Sequence, residues 1–186
     1  MKTRNFIALA VMALVGLASS FIILVNKIAL LENPSTSVSC NINPLLSCSN
    51  VMESAQAETF GFPNPILGVI GFSMLLVFSI LGLIKTEFKP VVYKLGLLAA
   101  IFGESFSFYL FYQTTYVIGA ICLYCVAVWF ASLITFSEFL AYNLPERVKT
   151  WFPFKPSWIL GLLVWFTLLG LIYMRYEYQF RLYFFT

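Results

Sequence analysis

Four cysteines are the residues of this 186-residue chain with the clearest potential for chemistry. Cys122 and Cys125 form a Cys-x-x-Cys pair at the start of a long apolar run, and Cys40 and Cys48 lie in a polar stretch. Residues three apart on a helix lie one turn apart on nearly one face, so two thiols there can close a disulfide or open again. A helix N-terminus also favours the thiolate, which is the reactive form. The spacing therefore indicates thiol redox chemistry at Cys122 and Cys125.

Two other interpretations of the cysteines remain open at this point. Two inert disulfides are one of them, although a bridge within a single helical turn constrains the unfolded chain very little. A four-cysteine zinc site is the other, but such sites usually have about two to four residues within each pair. Cys40 and Cys48 are separated by seven residues. We therefore favour a redox function and expect no metal site.

The composition indicates a protein that lives in lipid. Hydrophobic residues make up 61% of the chain and charged residues 10%, and there is neither histidine nor aspartate. A soluble domain of this size could not bury so much apolar surface. The missing residue types exclude histidine-based catalytic triads and histidine-bound zinc. A net charge of +3 does not indicate nucleic-acid binding. We expect an all-α membrane protein.

Apolar runs predict the helices that would position the cysteines. We expect five transmembrane helices, at residues 6–25, 66–84, 91–112, 119–142 and 159–174. A cleaved signal peptide is an alternative for the first run, but its length favours a retained helix. A polar break is predicted at residues 113–115, and an outer tail at 175–186. Within the polar stretch 31–63, Asn50 followed by Glu53 predicts the start of a short interfacial helix.

Lysine and arginine are unevenly distributed among the connecting segments. With the N-terminus in the cytoplasm, eight of the eleven fall on the cytoplasmic side: Lys2, Arg4, Lys85, Lys89, Lys94, Arg147, Lys149 and Lys155. Three fall outside: Lys27, Arg175 and Arg181. The positive-inside rule then places all four cysteines on the outer, oxidising side of the membrane. An interfacial aromatic belt is predicted at Trp151, Phe152 and Trp158.

Three motifs in a fixed order resemble the vitamin K epoxide reductase (VKOR) family. They are the loop pair Cys40 and Cys48, the segment Phe60-Gly-Phe-Pro-Asn64, and the Cys-x-x-Cys pair that opens a later span. The resemblance covers roughly residues 5–142. It implies a four-helix bundle around a quinone pocket at 1–142, with an outer cysteine loop at 31–64. Residues 143–186 would form a cytoplasmic connection, a fifth transmembrane helix and a short outer tail.

The resemblance also implies a membrane thiol–quinone oxidoreductase. By position, Cys40 would exchange with a thioredoxin-fold partner, Cys48 would relay to Cys122, and Cys125 would face the quinone. Twelve residues follow the fifth predicted span, so we expect the partner to be a separate (DsbA-like) protein. The quinone would be of the menaquinone, ubiquinone or vitamin K type. We expect a bacterial plasma membrane protein that promotes disulfide formation in exported proteins.

Three further residues could serve the quinone. Asn64 matches a family asparagine that binds a quinone carbonyl, although an asparagine between two prolines also suits a turn. Trp129 stands where the family often has tyrosine; its indole keeps a donor but no acceptor, and packing is the alternative. Glu104 lies within the third predicted span and is a candidate for proton transfer. It could instead be a neutral carboxyl bonded to Ser105, Ser107 or a backbone carbonyl.

Three alternative functions are compatible with parts of the pattern. A eukaryotic lumenal reductase of vitamin K quinone or epoxide would use the same motifs. Disulfide bond formation protein B also uses two cysteine pairs, but its Cys-x-x-Cys lies in the first outer loop, and the order here argues against it. A non-enzymatic membrane scaffold with inert disulfides is the third. The first would be distinguished by its substrates and the last by the absence of thiol exchange.

Overall fold

The computed structural model describes residues 1–36, 38, 40–145 and 158–184. Within the last helix, the side chains of Trp158 and of residues 178–184 are not described. The predicted aromatic belt therefore lies outside the described residues, apart from the backbone of Trp158. The same holds for three of the basic residues used to predict orientation: Arg147, Lys149 and Lys155.

All the long secondary-structure elements in the described part of the chain are helices. The helices are α1 (Thr3–Glu32), α2 (Cys48–Glu53), a 3-10 helix (Ala55–Glu58), α3 (Pro65–Leu83), α4 (Pro90–Tyr112), a π-helix (Gln113–Ile118), α5 (Leu123–Asn143) and α6 (Trp158–Phe184). Five helices are long and apolar enough to cross a membrane: α1, α3, α4 with its π-helical extension, α5, and residues Ile159–Glu177 of α6. The prediction of an all-α membrane protein with five spans is confirmed.

Helix α5 lies at the centre of the bundle. It packs against α1, α4 and α6, and α1 packs against α3. Glycines allow the close approach of α1 and α3, because a methyl group at Gly16 or Gly82 would collide with the rings of Phe72 and Phe6. In the described structure α3 and α4 do not form a packed pair. The bundle is consequently open between these two helices.

The predicted polar break at residues 113–115 is wrong. Helix α4 continues as the π-helix to Ile118, and Gly119 ends it with a φ of 76°. The Gly119 N–H donates to the Thr114 carbonyl at 3.0 Å, as in a glycine-terminated helix. Because Gly119–Ile121 is not helical, α5 begins at Leu123 and Cys122 is its N-cap residue. The fourth span is therefore shorter at its start than predicted.

Three other boundaries differ from the sequence prediction. Helix α1 extends to Glu32 and includes Lys27, which the charge count had assigned to an outer segment. Helix α2 begins at Cys48, two residues before the predicted start. Its N-cap is Ser47, whose Oγ accepts from the Asn50 N–H at 3.4 Å. Helix α6 continues to Phe184, so most of the predicted tail is a continuation of the fifth helix.

Contacts between distant segments define the two ends of the bundle. At one end Tyr176 of α6 donates its hydroxyl proton to the Thr115 carbonyl at 2.7 Å, beside the cysteine loop. At the other end Asn5 donates to the Glu138 carboxylate at 2.7 Å, and Asn143 donates to the Tyr93 carbonyl at 3.1 Å. The first end carries all four cysteines, because Cys40, Cys48 and Cys122 cluster there and Cys125 is in the first turn of α5.

Candidate functional site

Two asparagines fold the segment between the loop cysteines into compact turns. The Asn41 Oδ1 accepts from the Ser49 N–H at 3.1 Å, and the Asn41 Nδ2 donates to the Ser49 Oγ at 2.7 Å. The Asn43 Oδ1 accepts from the N–H groups of Leu45 and Leu46 at 3.0 and 2.7 Å. Asparagine side chains commonly bond the backbone a few residues ahead in this way. The loop therefore has a defined shape that does not depend on its cysteines alone.

A short backbone bridge ties this loop to the start of α5. The Ser47 N–H donates to the Ile121 carbonyl at 3.1 Å, and the Ile121 N–H donates to the Leu45 carbonyl at 2.7 Å. These two bonds set the two segments side by side in parallel. Cys48 follows Ser47 and Cys122 follows Ile121, so the register of the bridge brings both cysteines to the same place.

Three sulfurs form a compact cluster at this point. Cys40 and Cys48 are joined by a disulfide, with 5.7 Å between their Cα atoms. The sulfurs of Cys40, Cys48 and Cys122 all lie within 4.8 Å of one another. Cys122 is fully buried, and both it and Cys125 are free thiols. The Cys122 sulfur is thus next to a disulfide with which it could exchange.

The surroundings of Cys122 favour its reactive form. The Cys125 thiol donates a hydrogen bond to the Cys122 sulfur and lowers the pKa of Cys122, which precedes the first residue of α5. Backbone N–H groups of Cys125 and Tyr124 lower this pKa further, whereas burial opposes the shift. A lowered pKa increases the thiolate fraction at a given pH. Cys122 is accordingly suited to attack, or to leave from, a disulfide.

A cavity of about 640 Å³ lies beneath the cysteine cluster, between α1, α3, α4 and α5. Cys125 is in its wall, and most of the lining is apolar. A few polar side chains from the loop end also line it: Lys27, Ser54, Gln56, Asn64, Gln113 and Thr114. Small-molecule sites usually combine an apolar wall with a few polar groups. The cavity is large enough for an aromatic head group beside the Cys125 thiol.

The cavity opens on the flank of the bundle between α3 and α4. Ile70 and Met74 of α3 line the cavity and are 49% and 69% exposed. Leu95 and Phe102 of α4 line it from the other side and are 60% and 56% exposed. A span surrounded by lipid exposes such apolar side chains to acyl chains rather than to water. A lipid-soluble molecule can therefore reach the cavity sideways from the membrane.

Asn64 and Trp129 both line this cavity, as a quinone-binding role requires. Asn64 is buried, and its amide also organises the loop. Its Nδ2 donates to the Gln56 carbonyl at 2.7 Å, and its Oδ1 accepts from the Thr59 N–H at 3.0 Å. Trp129 is one helical turn below Cys125 and packs edge-to-face on Phe111 at 5.5 Å. Asn64 therefore has the turn-forming role, and Trp129 the packing role, that the sequence offered as alternatives. Contact of either residue with a quinone remains a prediction.

Comparison with known proteins identifies the class of this site. The vitamin K epoxide reductase family profile matches residues 7–140. The chain belongs to the vitamin K epoxide reductase family. The matched segment covers more than half of the chain and contains all four cysteines. A search of curated proteins found no match. Family membership makes this chain a membrane thiol oxidoreductase, and quinones are the substrates that the family uses.

One residue of this VKOR-family site was missed by sequence reasoning. Lys27 is buried near the C-terminal end of α1, where its Nζ donates to the Met52 carbonyl at 2.7 Å and pairs with Glu58 at 2.8 Å. These bonds hold the end of α2 and the 3-10 helix over the cavity. Helical spacing could have indicated this residue, because Ser20, Ile23 and Lys27 share one face of α1. All three line the cavity.

Glu104 lies beside the cavity of this VKOR-family protein rather than in its lining. The carboxyl is buried, and the Ser132 hydroxyl of α5 donates to its Oε2 at 2.8 Å. The sequence suggested Ser105, Ser107 or a backbone carbonyl as the partner, so this detail was wrong. Ser132, unlike Glu104, lines the large cavity. The tertiary fold thus connects the carboxyl to the cavity through one hydroxyl group.

Proposed function

We propose that this protein oxidises a separate thioredoxin-fold (DsbA-like) protein and transfers its electrons to a quinone, which promotes disulfide formation in exported proteins. Electrons would pass through Cys40 and Cys48 to Cys122 and Cys125. The observation that carries this proposal is the clustering of three sulfurs within 4.8 Å. The fourth, at Cys125, lines a cavity that is open to lipid. Sulfurs at this separation can exchange after small side-chain movements.

The proposed cycle conserves electrons at each step. The partner's dithiol reduces the Cys40–Cys48 disulfide and becomes a disulfide itself. The Cys48 thiolate then attacks Cys122 in a Cys122–Cys125 disulfide, which forms a Cys48–Cys122 bond and releases Cys125 as a thiol. Cys40 attacks Cys48 and restores the loop disulfide. The Cys122 and Cys125 thiols finally give two electrons and two protons to the quinone. The observed pairing, with the loop oxidised and the helix thiols free, corresponds to the state before this last step.

Several features support a quinone as the electron acceptor. The cavity has an apolar wall, its opening faces the membrane core, and Cys125 is part of the wall. We propose that Asn64 and Trp129 contact the two ends of the head group. Trp129 would donate its indole N–H, and Asn64 would donate the Nδ2 hydrogen that now makes the longer bond to Thr59 Oγ1 at 3.4 Å. A menaquinone, ubiquinone or vitamin K type of quinone would place its isoprenoid tail in the opening between α3 and α4. No residue in this scheme requires a metal ion.

The proposed setting is a bacterial plasma membrane, with the N-terminus in the cytoplasm and the cysteines on the outer side. The distribution of basic residues, eight against three, supports this orientation. Cys40 itself is buried, so the partner would have to dock on the exposed residues that follow it and displace them to reach its sulfur: Asn41, Ile42 and Pro44. We retain the proposed division into a catalytic core at 1–142 and a C-terminal segment at 143–186. The latter would support the core, because Ile172 and Tyr176 pack in one cluster with Leu45 and Ile121.

Quinone consumption by the purified protein tests this function. The protein in lipid nanodiscs is mixed with a quinone and a reduced thioredoxin-fold protein, and the loss of quinone absorbance is followed. Wild type should consume quinone, whereas Cys125→Ala should not. Val11→Ala, a lipid-facing change on α1, is the control and should retain the wild-type rate. An unchanged rate in Cys125→Ala would contradict the proposal, and consumption of an epoxide but not of a quinone would favour the lumenal reductase.

Trapping of the relay intermediate provides a second test. In Cys125→Ala, Cys122 cannot close its own disulfide, so we expect a Cys48–Cys122 linkage that non-reducing peptide mapping can detect. In the matched variant Cys40→Ala, the Cys48 thiol attacks Cys122 in the Cys122–Cys125 disulfide and releases the Cys125 thiol. No Cys40 thiol is left to resolve the product, so the same linkage should accumulate. Failure to form this linkage in either variant, with inert cysteines in the native protein, would favour the non-enzymatic scaffold.

A further inference from the structure

Glu104 occupies an unusual position for a carboxyl group in a membrane protein. It lies in the middle of α4 and is 6% exposed. The side chains that share its small neighbouring cavity are Ser107, Phe108, Phe111, Trp129 and Leu168, and none of these carries a charge. An ionised carboxylate without a cation is costly in such surroundings. The carboxyl group is therefore suited to hold a proton within the membrane.

Ser132 connects this stored proton to the large cavity. Its Oγ lies 2.8 Å from Glu104 Oε2 and its side chain also lines the cavity. A neutral carboxyl can donate a proton to a hydroxyl oxygen, and a hydroxyl can rotate to donate elsewhere. The observed bond runs from Ser132 to Glu104, and rotation of the Ser132 hydroxyl, with a proton on the Glu104 carboxyl, reverses it at the same separation. No backbone rearrangement is needed for such a transfer.

The position of Ser132 on α5 also suits a bound quinone. Cys125, Trp129 and Ser132 line the cavity from one face of α5. Ser132 is seven residues after Cys125, which corresponds to about 10 Å along a helix axis. A quinone beside the Cys125 thiol would direct one carbonyl oxygen towards the loop and the other towards this deeper part. The deeper oxygen would face a hydroxyl group with a carboxyl group behind it.

We infer that Glu104 and Ser132 form a proton relay to the deeper quinone oxygen, an inference that rests on the proposed quinone reductase function. In the overall reaction the Cys122 and Cys125 thiols lose two electrons and two protons as their S–S bond forms. The quinone gains two electrons and two protons as its carbonyl oxygens become hydroxyls. Ser132 donates one of these protons and takes another from Glu104. Glu104 then regains a proton from those that the thiols release, so the balance is complete.

A single-turnover experiment tests the relay separately from the thiol chemistry. Wild-type protein with reduced Cys122 and Cys125 is mixed with quinone in nanodiscs, and quinone reduction is followed by stopped flow. Glu104→Gln preserves the size and hydrogen bonding of the side chain but has no transferable proton, so a purely structural role predicts the wild-type rate. The relay predicts a loss of about 10²-fold, the usual contribution of a positioned acid. Ser132→Ala should show a similar loss.

Two further variants complete the design. Ser132→Thr retains the hydroxyl group and should restore most of the wild-type rate. Ser137→Ala removes a buried hydroxyl of the same helix that bonds the Leu133 carbonyl, and it should leave the rate unchanged. When combined with Cys125→Ala, each of these variants should trap the Cys48–Cys122 linkage to the same extent as Cys125→Ala alone. A normal rate in Glu104→Gln or Ser132→Ala would overturn the relay while leaving the proposed function intact. The absence of quinone reduction in wild type would instead refute the proposed function.

Discussion

Directional hydrogen bonds fix the cysteine end of the bundle in addition to apolar packing around the sulfurs, whereas the cavity beneath it is bounded by apolar side chains and has an open flank. At the cysteine end, the bridge between Leu45 and Ser47 on one side and Ile121 on the other sets the register. Lys27 fixes the end of α2 in addition. Around the cavity, α3 and α4 remain apart, and their exposed side chains face lipid.

This contrast follows from what each region must do. Disulfide exchange requires the attacking thiolate to approach in line with the S–S bond that breaks. Small displacements of the sulfurs therefore slow the exchange, and directional hydrogen bonds that fix their positions are useful. A lipid-soluble substrate requires an apolar surface and a route from the bilayer, and nondirectional contacts are sufficient for this. Changes at the cysteine end should therefore affect thiol exchange, and changes at the cavity should affect the use of quinone.

The largest expected effect comes from Cys48→Ala. This change removes the link between the partner and the buried pair, so steady-state quinone reduction by the thioredoxin-fold partner should be lost. Single-turnover quinone reduction by the prereduced Cys122 and Cys125 should persist, because the cavity is unaltered. Both rates can be followed by quinone absorbance. Steady-state turnover in Cys48→Ala that matched wild type would show that the two regions are not connected through this sulfur.

Filling the cavity should impair the use of quinone and leave thiol exchange intact, which is the opposite of the effect of Cys48→Ala. A side chain added at Gly71, which lines the cavity, would meet no atom within 4 Å at its Cβ. Gly71→Phe should therefore fold but compete with quinone, and should raise the KM for quinone about 10-fold, equivalent to about 1.4 kcal/mol. In the Cys125→Ala background, Gly71→Phe should leave the trapped fraction of the Cys48–Cys122 linkage unchanged.

Gly170→Phe on α6 is the matched control for this substitution. Gly170 also has open space at its Cβ, but it is outside the lining of the cavity. Its KM for quinone should equal that of wild type. Equal KM values in the two phenylalanine variants would argue that the substrate binds elsewhere.

Loss of the Lys27 contacts should weaken the attachment of α2 and the 3-10 helix, which lie over the cavity. Lys27→Met keeps much of the side-chain volume but leaves the buried Met52 carbonyl without its donor, so the free energy of unfolding should fall by about 1–3 kcal/mol. Glu58→Gln should cost less, about 0–1 kcal/mol, because its amide oxygen can still accept a hydrogen bond from the buried Lys27 and the Glu58 side chain is 38% exposed. Reversible unfolding in mixed detergent micelles measures both. A larger loss in Glu58→Gln than in Lys27→Met would contradict this assignment.

The smallest predicted effect is a shift in the pH dependence of Cys122 reactivity. The hydrogen bond from the Cys125 thiol is the largest cause of the lowered pKa of Cys122. Cys125→Ala removes it, so the pKa should rise and less thiolate should be present at a given pH. After reduction of the loop disulfide, the midpoint of the pH profile for Cys122 alkylation should move to higher pH. Tyr124→Phe retains the backbone N–H and should not move it.

Sequence reasoning was most reliable where the relevant property is local. The five spans follow from continuous apolar runs that are long enough to cross the bilayer, so their number was predicted correctly. Their ends were less accurate, because the π-helix at Gln113–Ile118 and the extra turns of α1 satisfy polar backbone groups that a hydropathy pattern does not count. The motifs around Cys40, Cys48, Cys122 and Cys125 indicated the family before any fold was known.

The amino-acid sequence alone thus determined the lipid environment, the helical class and the thiol chemistry, since these depend on composition and short spacings. Only the tertiary structure decided which distant groups meet. Glu104 and Ser132 are 28 residues apart, and Lys27 lies 31 residues from Glu58. No periodic pattern encodes such pairs, because they depend on how α4 and α5 pack and on where the loop folds back over α1. The bridge that aligns Cys48 with Cys122 has the same origin.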